Sequence, residues 1–426
     1  MLDIKFIREN ENIIRKALKD KQLQGTLNFD ELLELDAKYL QVLKKTELHR
    51  NLKNELSKRI SIIKEAGGKQ KIIEEATKIK SELDALESEL KNLKELLDVM
   101  LLKVPNPPAD DVPYGEGEND NVVVKQIGAP KTFSFKPKDH LELGEALDII
   151  DVERGVKIAG FRGYFLKNEG AELEMAVLKY ALDFMKKKGF DFYTVPWLVK
   201  PDYFVGTGYF PWGEEDHYVT QDGLALIGTA EVSLTSYYAN EVLKEKDLPK
   251  KMVGLSPCFR REIGSYGKDT RGIFRIHQFT KVEQVVLLPE GEDLSREWHE
   301  KMLGYVEEVL QNLGLAYQVL LMCSGDMGAG QRKKYDVETW FPAQKKYRET
   351  HSDSYFLDFQ ARRLNMRYKA ANGTLKYVHT LNNTVVATPR LLAAILETYQ
   401  QEDGSVRVPE VLHKYLDFKE IKSKKK

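Results

Sequence analysis

The stretch Leu255–Leu287, LSPCFRREIGSYGKDTRGIFRIHQFTKVEQVVL, governs how the rest of the chain is read. Two runs of alternating character, Leu255–Glu262 and Ile273–Leu287, flank a loop of Gly, Lys, Asp and Arg and predict a β-hairpin with a long tip. Strand side chains alternate faces, so Arg275, His277, Phe279, Lys281 and Glu283 are expected on one side of the second strand. Arg260 and Glu262 share a parity in the first. Cations, an aromatic ring and a carboxylate on one sheet face suit a ligand with phosphates, a flat base and an ammonium group. The Arg260 guanidinium adds a fork for bidentate phosphate contact. On periodicity alone, a merely solvated strand face is the competing explanation.

Bulk composition narrows the class. The 426 residues are enough for two or three domains, and 31% charged residues describe an ordinary charged surface. Net charge is -1, so any nucleic-acid site must be a local patch. Two cysteines, Cys258 and Cys323, lie far apart without CxxC spacing, which argues against a disulfide scaffold or a Cys-based zinc site. The opening MLDIKFIREN lacks a signal peptide's apolar run, and no uncharged apolar run approaches the ~18 residues of a membrane helix. A cytoplasmic protein is expected, with no membrane partner.

From about Asn28 to Ala66 and from Lys69 to Lys103 the chain is rich in Leu, Ile, Lys and Glu. Ala76, Ile79, Leu83, Leu86, Leu90, Leu93 and Leu97 recur at alternating spacings of three and four, a heptad seam. Leu35, Val42, His49, Leu56 and Ile63 keep a seven-residue spacing, with polar intruders such as Thr46. Gly67-Gly68 reads as a helix stop and reversal, so residues 1–104 are expected to form an antiparallel coiled-coil arm. Residues 44–71 hold nine Lys or Arg against three Glu, which suits a nucleic-acid backbone. A Lys-rich coil that is merely soluble is the bland alternative.

Residues 105–130, opening on PNPP and turning acidic, are expected to be a linker, and 131–426 the globular body. There, helix Ala171–Lys188 precedes a strand and Pro196. Strands are predicted near 217–227, 252–260, 273–288, 316–322, 335–341 and 375–387, and helices near 230–245, 292–312 and 389–400. This irregular order predicts an α+β body, a mainly antiparallel sheet flanked by helices. Neither a Rossmann fingerprint nor a P-loop is present.

Residue order now adds a family. FRREIGSYGKDTRGIFRIHQFTKVE resembles motif 2 of class II aminoacyl-tRNA synthetases in the version carried by seryl-tRNA synthetases. The helix–strand–proline run resembles motif 1, which implies a homodimer. The arm resembles the family's tRNA-binding domain, implying contact with tRNA(Ser) through Lys44, Lys45, Arg50, Lys53, Lys58 and Arg59. The resemblance implies ATP and L-serine as substrates and Mg²⁺ as cofactor. By the same resemblance Arg260 holds the α-phosphate, Glu262 the adenine side, and Phe279 stacks on the base, with Arg261, Arg275 and Ile276 beside them. Thr229, Ala230 and Glu231, together with Arg260, Glu283 and Thr384, would recognise serine.

The block KYDVETWFPAQKKYRET…DFQARR (334–363) implies ATP contacts at Glu349, Thr350, His351 and Ser352, and Mg²⁺ at Glu349 and Ser352, hard oxygen donors suited to that ion. LNNTVVATPRLLAAILE (381–397) resembles motif 3 and gives Arg390, beside Arg260 and Glu349, a catalytic role on the phosphates. Loop residues Lys268 and Arg271 would close on ATP and the tRNA end. Where the family usually reads close to SSCSN, this chain reads His351-Ser352-Asp353-Ser354-Tyr355, which puts the local pocket shape in question. The implied activity is that of a serine–tRNA ligase, with tRNA(Sec) left open as a second acceptor. A catalytically weak or inactive synthetase-like tRNA-binding protein is the alternative.

Overall fold

The computed structural model describes residues 1–62, 66–263 and 272–423. The chain divides into two compact units, Met1–Pro105 and Asn106–Lys426. Ile63, Lys268 and Arg271, named above, and Lys64 of the basic run lie outside the described residues.

The first unit contains helices α1 (Ile4–Glu9), α2 (Glu11–Asp20), α3 (Phe29–Ile62) and α4 (Ala66–Leu101). Ion pairs Lys38–Glu89 (3.3 Å) and His49–Glu82 (3.2 Å) set α3 and α4 antiparallel, since the partner number falls as the α3 number climbs. At ~1.5 Å per residue the 34 residues of α3 run about 50 Å. The α4 seam follows its spacing: Leu83, Leu93 and Leu97 are buried, and Ala76, Ile79, Leu86 and Leu90 are half-buried. Thr46 belongs to the α3 seam and is fully buried, its hydroxyl donating to Val42 O at 2.8 Å. That bond removes most of the cost of burying a hydroxyl. The helix stop expected at Gly67-Gly68 is not there; α4 begins at Ala66 and takes both glycines into its first turn. First-turn N–H groups have no intrahelical partner in any case, so glycine is tolerated there.

The second unit is built on one eight-stranded sheet. Its strands are β1 (Val122–Ile127), β2 (Asp191–Thr194), β3 (Lys250–Phe259), β4 (Gln278–Leu288), β5 (Tyr317–Leu321), β6 (Lys333–Phe341), β7 (Lys346–Leu357) and β8 (His379–Ala387). Their order is β1-β5-β6-β7-β8-β4-β3-β2, antiparallel throughout except for the β2–β3 pair. Around it lie α5 (His140–Ala146), α6 (Val152–Ala159), α7 (Glu169–Lys187), α8 (Pro201–Thr207), α9 (Glu231–Thr235), α10 (Glu292–Asn312), α11 (Phe359–Arg363) and α12 (Thr388–Tyr399).

Strand alternation sorts the sheet into two faces. From β4, Val282, Val286 and Leu288 join the main core with Val177 of α7, Met302 and Val306 of α10 and Ile395 of α12. Val285 and Leu287 turn the other way and pack with residues of α8, α9 and α11. Glu283, Lys281 and Phe279 share that second face, where the packing stops short and a cavity opens.

Several expected elements differ. Residues 217–227 are mostly loop, because Thr220 N–H bonds Leu224 O (2.7 Å) and Gly223 adopts φ +80°. Ala225–Leu226 pairs with Leu198–Val199, and Val219 makes a single bridge to Ala225. The helix expected over 230–245 stops at Thr235. Asn240 has φ +64°, and Val242–Lys244 pairs in parallel with Arg367–Lys369. Residues 272–277 are not strand; Ile273, Phe274 and Ile276 are buried there without the alternation of a pleat. β7 is a strand that the sequence pattern does not predict, and residues 122–127 of the expected linker pair as an edge strand. Among the described residues no helix is long and apolar enough to cross a membrane.

Candidate active site

The cavity on the front of the sheet measures about 440 Å³. Strands β4, β6, β7 and β8 contribute to its wall, so residues far apart in the chain become neighbours through register. Gly254, Glu283 and Thr384 are successive partners across β3, β4 and β8. The lack of a side chain at Gly254 leaves room for Ala230, the N-cap residue of α9, which a Cβ there would meet at 3.1 Å.

One end of the cavity is a buried polar nest. Glu283, fully buried, accepts from Asn382 Nδ2 (3.0 Å) and Thr384 Oγ1 (3.2 Å) and pairs with Lys281 Nζ at 2.5 Å. Glu231 accepts from Tyr209 OH (2.7 Å), Gln360 Nε2 (2.9 Å) and Asn382 Nδ2 (3.0 Å). Burial pushes the Glu231 carboxyl up to about 7, and Glu283 adds to the push; the Tyr209 and Gln360 donors and Lys281 oppose it. A neutral or half-ionised acid beside a fixed carboxylate is well placed to take an ammonium group.

The opposite end is cationic. Arg390 Nη1 donates to Glu349 O and Oε2, both at 3.0 Å, its Nε donates to Phe274 O (3.2 Å), and its guanidinium lies 4.6 Å over the Phe274 ring. Burial alone would raise the Glu349 carboxyl, but Arg390, Lys334 and Arg260 hold it down to about 2. It stays ionised while 44% exposed to the cavity, so solvent screening reduces the strength of this effect but not its direction. Arg260 joins the two ends: Nε donates to Gly228 O (3.3 Å), and the guanidinium sits 5.4 Å over the Phe279 ring. Glu262, at φ +56°, faces Arg275 (3.4 Å) and Arg162 (3.5 Å).

The cavity brings together most of the residues singled out from the sequence. Glu231, Arg260, Glu262, Arg275, Ile276, Phe279, Glu283, Glu349, Thr350, His351, Ser352, Thr384 and Arg390 all line it. Thr350 and His351 offer it main chain, because a bulge at this point turns the Thr350 hydroxyl back toward Thr339 Oγ1 (2.7 Å) and the His351 ring bonds that same hydroxyl (2.8 Å). Three residues do not reach the wall. Thr229 Oγ1 accepts from Glu231 N–H (3.2 Å), Ala230 is buried in the apolar cluster, and Arg261 turns outward to Glu215 O (3.0 Å). His277 likewise leaves the face assigned to it: its ring bonds Arg260 O (3.0 Å) and lines a second cavity beyond Phe279.

Asp353 and Tyr355, the departures from the family pattern, pair in register with Asn383 and Leu381 and face the core side of the sheet. Neither lines the cavity, whereas Ser352 and Ser354 do. Tyr209, Gln360 and Asn382 belong to the nest without standing out in the sequence. A buried amide inside DFQARR and a second Asn beside Thr384 are the available signals, but Gln360 and Asn382 meet partners that lie about a hundred residues or more away in the chain.

The arrangement agrees with what the chain resembles. Residues 215–399 match the tRNA synthetase class II core domain (G, H, P, S and T), and residues 1–108 match the seryl-tRNA synthetase N-terminal domain. The serine–tRNA ligase of Deinococcus radiodurans is 42% identical over 424 residues, 99% of each chain. The crystal structure of seryl-tRNA synthetase from Pyrococcus horikoshii complexed with ATP superposes with a TM-score of 0.93 at 40% identity, covering 99% of both chains. That of cytoplasmic serine–tRNA ligase from Naegleria fowleri in complex with AMP gives 0.88 at 33% identity, covering 100% of this chain and 99% of the other. With its two-part build, its antiparallel sheet and this full-length likeness, the chain belongs to the seryl-tRNA synthetase family of class II aminoacyl-tRNA synthetases.

Proposed function

We propose that the chain activates L-serine with ATP and transfers the seryl group to the 3′ end of tRNA(Ser). One observation carries the reading: a single cavity holds a buried acid–amide–hydroxyl nest at one end, a cationic end at the other, and Arg260 between them. The nest takes the serine ammonium at Glu283 and Glu231 and the hydroxyl at Thr384. Buried polar partners of this kind reject a side chain that cannot hydrogen-bond.

The cationic end takes the triphosphate, Phe279 the base, and Arg260 the α-phosphate. Serine carboxylate and α-phosphorus are thereby held for in-line attack, with Arg260 and Arg390 stabilising the charge that develops. The second step passes the acyl group to a ribose hydroxyl and needs no protein nucleophile. For Mg²⁺ the residues fit. Glu349 is held ionised and open to the cavity, and Ser352 faces the same cavity. When bound, the ion neutralises phosphate charge and orients the leaving pyrophosphate.

Lys44, Lys45, Arg50, Lys53, Lys58 and Arg59 on α3 are assigned to the tRNA backbone, residues 1–104 to the arm and 131–426 to catalysis. A homodimer is assigned through the bare apolar side chains of α6 and its surroundings. Serine-dependent ATP–pyrophosphate exchange without tRNA tests the central step. Exchange that requires serine supports it; a folded, ATP-binding protein without exchange would move the assignment to a non-catalytic tRNA-binding relative.

A further inference from the structure

Phe274, Arg275 and Ile276 line the cavity from a segment outside the sheet, so no strand ladder holds their backbone. Buried backbone groups are nevertheless paired almost without exception. Here side chains do the pairing. Arg390 of α12 donates through Nε to Phe274 O at 3.2 Å, and the Ile273 N–H donates to His140 Nε2 at 3.4 Å. Arg390 already belongs to the cationic end of the cavity. His140 does not line the cavity, and the reaction as derived above gives it no part.

The groups around His140 fix its ring. It opens α5, whose capping box sets its backbone: Asp139 Oδ1 accepts from the Leu141 and Glu142 N–H groups (3.0 and 2.8 Å), and Glu142 Oε2 accepts from the Asp139 N–H (3.0 Å). The ring is buried, with Nδ1 2.9 Å from Glu397 Oε1. Glu397, fully buried on α12, also accepts from the His140 N–H (3.2 Å) and, through Oε2, from the Ala343 N–H (3.1 Å) in the turn between β6 and β7. Gln400 closes on Lys138 from both sides: Oε1 accepts from its N–H (2.8 Å) and Nε2 donates to its carbonyl (3.0 Å). Helix α12 thus carries Arg390 at its start, and its last turn and the residue after it grip residues 138–140.

The tautomer follows from the partners. A carboxylate only accepts, so the imidazole proton sits on Nδ1, and Nε2 keeps a lone pair for the Ile273 N–H. Gly272 lets the chain come this close: its φ is +83°, and a Cβ there would lie 2.5 Å from Nε2. We propose that His140 is a positioning residue for ATP: Glu397 locks it as the Nδ1–H tautomer, and Nε2 holds Ile273 so that Phe274, Arg275 and Ile276 meet the nucleotide. This role rests on the assignment of that end of the cavity to ATP.

The contacts separate the two substrates. The guanidinium groups of Arg390 and Arg348 lie 4.6 and 4.1 Å over the Phe274 ring, and Arg275 faces Glu262 at 3.4 Å. A shift of Ile273 therefore moves groups at the nucleotide end. The serine nest is built on β4, β8, α9 and α11, and its acids are held from there. Releasing Ile273 should weaken ATP and spare serine.

The test is pyrophosphate exchange on the full-length chain, with ATP and serine varied in turn, beside direct titration of ATP. His140→Phe keeps a ring but offers no acceptor. It should raise the KM and Kd for ATP roughly tenfold and leave the serine KM within about twofold. His140→Gln can bring its amide oxygen to the Nε2 position and should recover most of that loss. Histidine-selective nitrogen NMR of the wild type should show a ring protonated on Nδ1 that vanishes in His140→Gln, a readout that stands even where His140→Phe fails to fold. ATP and serine KM rising together, an unchanged ATP KM in His140→Phe, or an Nε2–H signal for this ring would overturn the role. If wild-type exchange does not depend on serine, the serine–tRNA ligase reading fails and the Kd for ATP alone decides for His140; a wild type that binds no ATP overturns both.

Discussion

Burial divides the labour between the two acids of the nest. Glu283 pairs with Lys281 and is bonded by two donors, so removing it strands buried partners; the penalty for breaking such a set is about 3–5 kcal/mol. Glu283→Ala should therefore lower kcat/KM for serine at least ~100-fold in pyrophosphate exchange. Glu231, raised to about 7, loses its charge as pH falls through that value. The KM for serine should accordingly rise as the pH is lowered below about 7, and Glu231→Gln should flatten that limb.

At the scale of elements, legibility follows the physical signal. The α4 seam and the boundaries of α10 are readable because apolar periodicity reports burial directly. The run 230–245 misleads because tertiary pairing of Val242–Lys244 overrides local pattern after Asn240. β7 escapes because a bulge and a polar front face erase its alternation. The same logic explains the site: Arg260, Glu283 and Arg390 lie in marked motifs, while Tyr209 and Gln360 enter it through Glu231, the partner they share. On α3, Arg50 is engaged by Glu87 at 2.9 Å, whereas Lys44, Lys45, Lys58 and Arg59 are exposed or half-exposed and have no carboxylate partner among the described residues. Changing those four to Gln should leave pyrophosphate exchange intact. Charging of tRNA should weaken, with a salt dependence shallower by about one unit of slope for each phosphate no longer neutralised.

At the scale of the whole molecule, a net charge of -1 makes attraction to RNA a local affair, and apolar exposure becomes the more informative global feature. Large apolar side chains stay bare along one run of chain, Val156, Ile158 (74% exposed), Phe161 and Phe165, and on nearby elements at Met175, Phe192 and Trp197. Soluble monomers rarely leave so many uncovered, and a second copy of the chain is the occupant proposed. Ile158 projects from α6 without joining either core cluster, so Ile158→Asp tests the interface without opening the interior. Wild type should sediment at twice the chain mass, and the variant should dissociate at micromolar concentration, since one buried aliphatic side chain is worth ~1.5–3 kcal/mol and a buried unpaired charge costs more. Its melting temperature should fall and lose the concentration dependence that mass action gives a dimer. A wild type that sediments as a single chain at those concentrations would remove the dimer and leave the apolar run in search of another partner.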